Sequence, residues 1–166
     1  DERRLVVHEL RTHVVRACRG FETGLLNLGL GLRDYMATEE GLASVMEEEH
    51  GLLQRGQVKT YAYRALGAWL AHDRGFVDTF RALLDLGASP GLAWDVSMRV
   101  KRGLTDTSLP GAFTKDYVYL HGRELVIDYL DRGGNKEDLF LGKIATKHIP
   151  LVKRILKEWD FAEGCP

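Results

Sequence analysis

The sequence has little of several things that would fix its class. Its 166 residues include only two cysteines, Cys18 and Cys165. These make no disulfide framework, and such sparse usage fits a reducing, cytoplasmic compartment. No run of about 18 apolar residues and no secretory leader is present, so a membrane-spanning reading has no support. Neither sign of charge dominates: 23 Lys and Arg stand against 24 Asp and Glu, a formal net charge of −1. That balance offers no basis for nonspecific attraction to nucleic acid or to a membrane. Strict apolar–polar alternation over six residues, internal repeats and low-complexity tracts are also missing. What remains is 45% hydrophobic and 28% charged, the make-up of one compact, mainly α domain over 1–166. The chain opens at Asp1 without a methionine and meets its first motif almost at once, so we expect it to be part of a longer protein.

Apolar residues recurring three or four apart predict a first helix over 3–20, ended by Gly20. The Gly- and Leu-rich stretch that follows has no clean period and is read as an irregular connection. Thr38 is expected to open the next helix, with acidic residues in its first turn suiting the positive end of the dipole. Further helices are predicted over 58–75, 76–87, 89–103, 113–134 and 147–161, with a short one before the last. Cys18, Trp69 and Trp94 are expected in the core, and Glu47–Glu49 on a solvated face. His50, His72 and His148 read as surface or helix-end histidines.

Chemistry enters at residues 8–13, "HELRTH". Two histidines with a glutamate after the first suggest the zinc-peptidase motif H-E-x-x-H, except that the second histidine comes one residue late. In a regular helix residues four apart differ by about 40° in direction and residues five apart by about 140°. His8 and His13 therefore share a face only if the helix carries a π-type turn, which absorbs one extra residue. A third ligand is available in "TEEGLA" (38–43), where two carboxylates precede small residues that would let another helix approach. Adjacent helical positions point about 100° apart, so one of Glu39 and Glu40 faces the histidines, and spacing alone does not say which.

"HELRTH", "TEEGLA", "MRVKRG" (98–103) and "GAFTKDYVYLHG" (111–122), in this order, resemble the zinc metallopeptidase family of the microtubule-associated tyrosine carboxypeptidases. That family also includes bacterial flavohemoglobin expression-modulating proteins with a QEGLA motif. The resemblance runs from His8 to about Pro150. It implies the helical, gluzincin-like part of a metallopeptidase, usually preceded by a sheet. It further implies that His8, His13 and Glu40 bind Zn2+ and that Glu9 is the general base. Arg11 stands where relatives have glycine and is expected to point away from the site. A donor for the tetrahedral oxyanion would come from Tyr117, Tyr119 or His121, with Tyr119 preferred because "VYLHG" matches the family.

A carboxypeptidase must also hold a terminal carboxylate, for which Arg99, Arg102 and Lys115 flank the loop at 103–112. The expected activity is removal of a C-terminal residue, tyrosine in the eukaryotic branch, from a peptide or protein tail such as that of tubulin. The alternative is a regulatory or interaction domain with a structural or inactive zinc site.

Overall fold

In a computed structural model, residues 2–163 are described, and every regular element among them is helical. Helix α1 (Glu2–Leu5) runs into a π-helical segment, Val6–Val14, and then into α2 (Val15–Glu22). After α3 (Leu26–Leu30) come α4 (Tyr35–Glu49), α5 (Arg55–Ala71), α6 (Phe76–Asp85), α7 (Pro90–Lys101) and α8 (Tyr117–Asp131). Two 3-10 turns, Lys136–Phe140 and Thr146–His148, lead to α9 (Ile149–Glu163). No described helix is long and apolar enough to cross a membrane. Cys165 lies outside the described residues.

The chain forms two compact units, one made of the residues up to Leu52 with those from His121 onward, the other of Leu53–Leu120. In the first, Val7 of the π segment packs with Leu42, Val45 and Met46 of α4. Leu28 of α3, Val126 of α8, Leu139 and Phe140 of the 3-10 turn, Ile144, and Ile149 and Val152 of α9 also belong to this core. The second is centred on Tyr63, Ala68, Leu70 and Ala71 of α5, with Leu83 of α6 and Ala93, Val96 and Val100 of α7. Buried Lys101 ties this unit's long loop down, its ammonium donating to the carbonyls of Ala71, Arg74, Leu109 and Gly111 at 2.5–3.2 Å.

Several boundaries move from their expected places. Gly20 does not stop the first helix, which continues to Glu22. A Cβ at Gly20 would overlap the carbonyl of Leu28, so the glycine is there for the approach of α3. The irregular stretch contains α3, and α4 begins at Tyr35, three residues before Thr38. Glu39 and Glu40 consequently sit past the first turn, where the dipole explanation no longer applies.

Three packing expectations are corrected. Cys18 is exposed because α2 buries Arg16 and Gly20, leaving Cys18 on the other side. Trp69 is 71% exposed; it belongs to a second apolar face of α5, with Ala62, Ala65 and Leu66, which lines an open groove. Trp94 is 52% exposed and contributes only an edge contact to Phe76 and Phe80.

Candidate metal centre

The extra residue in "HELRTH" is accommodated as its spacing demands. Val6–Val14 is π-helical, and the amide of Val15 donates to Leu10 O, five residues back. Thr12, fully buried, donates its hydroxyl to Val7 O at 3.0 Å, also across five residues. In an i to i+5 turn residues five apart lie one above the other. His8 and His13 do so, with ring centroids 4.8 Å apart and planes at 87°. Ligand atoms of His8, Glu9 and His13 lie within 4.8 Å of one another, a group that could hold a metal ion. Glu9 is the exposed member.

Glu40 joins this group from α4. One of its oxygens, Oε2, lies 3.3 Å from His8 Nε2 and 3.8 Å from His13 Nε2. Contrary to the expectation that one of the pair faces the histidines, Glu39 also reaches them, from the other side: its Oε1 is 3.1 Å from His13 Nδ1 and its Oε2 accepts from Arg16 Nη1 at 3.2 Å. Of the two carboxylates, Glu40 is thus the one that meets both Nε2 atoms. The small residues that follow it act as anticipated. A Cβ at Gly41 would overlap the backbone of Gly122 in α8, and one at Gly122 would overlap the carbonyl of Ala37.

Glu47 is the surprise of the site. Expected on a solvated face, it is fully buried, and its Oε1 lies 2.7 Å from His8 Nδ1 while Oε2 accepts from Arg4 at 2.9 Å. The signal was present in the sequence, since Glu40 and Glu47 are seven residues apart and therefore on one helix face. Glu48 and Glu49 are exposed as expected and pair with Arg123 and Lys136. Arg11 points outward to the exposed His50, at 3.2 Å.

Electrostatically the pocket is a set of carboxylates compensated from behind. Burial would depress the His8 imidazole, but hydrogen bonds to Glu40 and Glu47 carry it up to about 9. Burial would raise Glu39, but His13, Arg16 and Lys143 hold it below the usual carboxylate range. Burial pulls the guanidinium of Arg16 down to about 10 against the attraction of Glu39, which leaves it charged at neutral pH.

The remaining candidates belong to the second unit, apart from His121. Arg99 and Arg102 both bind the buried carboxylate of Asp116, Arg102 at 3.1 Å, and Arg102 also covers the ring of Phe113. Lys115 is exposed. Tyr119 stacks on buried Tyr61 at 5.3 Å and 13°. Sequence reasoning passed over Arg64, which is half-buried near Asp116, Arg99, Tyr119 and Tyr61; burial and the neighbouring guanidinium of Arg99 lower its affinity for its proton. No ion pair holds Arg64 among the described residues.

Comparison with known proteins matches residues 1–160 to a family described as microtubule-associated tyrosine carboxypeptidase. Human microtubule-associated tyrosine carboxypeptidase 1 is 39% identical over 123 residues, 69% of this chain and 25% of its own. The mouse protein of the same name is 36% identical over 123 residues, again 69% and 25%. Human MATCAP2 is 32% identical over 155 residues, 88% of this chain and 28% of its own. The chain thus spans about a quarter of the length of the curated relatives it matches.

Proposed function

This chain belongs to the microtubule-associated tyrosine carboxypeptidase family, and from that premise we propose that it carries the metal-binding helices of a zinc carboxypeptidase. The observation behind the reading is the convergence of His8 and His13 Nε2 on one oxygen of Glu40 across the π turn. Two imidazole nitrogens and one carboxylate oxygen suit Zn2+ and leave a coordination position for water. Zinc bound by His8, His13 and Glu40 would supply an acidified water and a polarised scissile carbonyl.

The chain's own residues do the rest. Glu9 follows the first ligand and is open to solvent, so it can accept the water's proton and hand it to the leaving amine. Glutamine in its place keeps the shape and loses the base. Family resemblance gives Tyr119 the role of oxyanion donor. For the substrate's terminal carboxylate the family blocks offer Arg99, Arg102 and Lys115, of which Arg99 and Arg102 share the carboxylate of Asp116. The substrate class is a protein tail ending in a free carboxylate, with C-terminal tyrosine of a tubulin-like tail as the leading member.

The test is metal content together with turnover. Purified protein is expected to hold about one zinc, lost in His8→Ala and in Glu40→Ala. Glu9→Gln is expected to keep the zinc and release no amino acid from tyrosine-ending peptides that the wild type cleaves. Absence of stoichiometric zinc in the wild type would sink the reading. Zinc binding with no turnover by either protein would favour the regulatory alternative.

A further inference from the structure

Arg11 and Glu9 on the π segment are exposed, yet the two histidines beside them face carboxylates that all come from one helix. α4 carries three glutamates toward the histidines. Glu40 meets the Nε2 face of both rings, while Glu47 and Glu39 lie against the opposite nitrogens, Nδ1 of His8 at 2.7 Å and Nδ1 of His13 at 3.1 Å. The His8–Glu47 contact is a full hydrogen bond; the His13–Glu39 contact is close without hydrogen-bond alignment.

Both outer carboxylates are buried, and each has a cation behind it. Arg4 binds Glu47 at 2.9 Å; Arg16 and Lys143 bind Glu39 at 3.2 and 3.3 Å. Arg16 is itself fixed by donation to Leu139 O at 2.9 Å and Ile144 O at 2.7 Å. Burying a carboxylate is costly without such partners, so a solvated-face role does not account for Glu47.

We propose that Glu47 is a positioning residue for His8, accepting a hydrogen bond from Nδ1–H so that Nε2 is left as the metal-binding nitrogen. A neutral imidazole has one protonated and one free nitrogen, and whichever nitrogen donates a hydrogen bond leaves the other to the metal. A carboxylate at Nδ1 also makes the ring a stronger donor. Arg4 acts one step further out, holding the Glu47 carboxylate in place.

The inference rests on the zinc reading above, so the experiment separates the two. Zinc affinity is measured by competition with a chelator for wild type, Glu47→Gln and His8→Ala. Wild type binding with His8→Ala failing supports the zinc reading alone. Glu47→Gln is then expected to bind about 10- to 100-fold more weakly, and unchanged affinity would overturn the positioning role. A second measurement works on the wild type whatever the variant's fold. Nitrogen NMR of the zinc-loaded, 15N-histidine-labelled protein is expected to show His8 as the Nδ1–H tautomer with Nε2 on the metal. Zinc on Nδ1 of His8 would equally overturn it.

Discussion

At the scale of single residues, the first unit is organised by charges that water does not reach. Arg16 is fully buried and gives its donors to Glu39 and to two backbone carbonyls. Replacing it with methionine keeps the bulk but strands a buried carboxylate and two carbonyl oxygens. Loss of one partner from a buried pair typically costs about 3–5 kcal/mol, and Arg16→Met is expected to lie in that range by denaturant titration. A loss below about 1 kcal/mol would mean that Glu39 finds compensation in Lys143 alone. Residue identity was the most legible level where chemistry needs a rare type: His8 and His13 stood out, whereas the choice of Glu40 over Glu39 came from family resemblance. It was least legible for Glu47, Cys18 and Trp69. Their exposure depends on which face of a helix its neighbours cover, and no property of the residue itself carries that.

At the scale of elements, the register of "HELRTH" required a wide turn, and the π segment supplies it. The five-residue α3 is too short to show a period and reads as irregular, whereas the long helices were legible in order because 3.6-residue periodicity is a strong local signal. Their ends were less so. Gly20 and Thr38 carry stop and start signals, but tertiary contacts override both: Gly20 serves the close approach of Leu28, and the buried Thr38 accepts a hydrogen bond from Thr146 N. The π turn makes a prediction of its own. Deleting the exposed Leu10 restores four-residue spacing, at which a regular helix again places the two histidines on one face. The shortened protein is expected to fold, to lose the π signature in backbone chemical shifts, and to keep stoichiometric zinc. A folded deletion variant that binds none would show that the wide turn itself sets the ligand geometry.

At the scale of the molecule, each compact unit has its own apolar core, and the candidate ligands all come from the first. A ligand that binds only the native form stabilises it by mass action, about 2.7 kcal/mol at one hundred times Kd. For a chain of this length that is roughly 5–10 °C in Tm. Zinc is therefore expected to raise the melting transition of the wild type by that amount and to leave His8→Ala unmoved; equal shifts in both would point to zinc binding elsewhere. The apposed glycines of α4 and α8 have a consequence for how such a site can change over time. Because the contact at Gly41 and Gly122 is backbone against backbone, the spacing beneath Glu40 is gauged by atoms common to all amino acids. The side chains around the metal position can drift, and the ruler that sets their depth stays the same length. Either glycine's replacement moves the whole carboxylate row at once, so mutational tolerance in this protein should fall more sharply at these two silent positions than at many residues facing the chemistry.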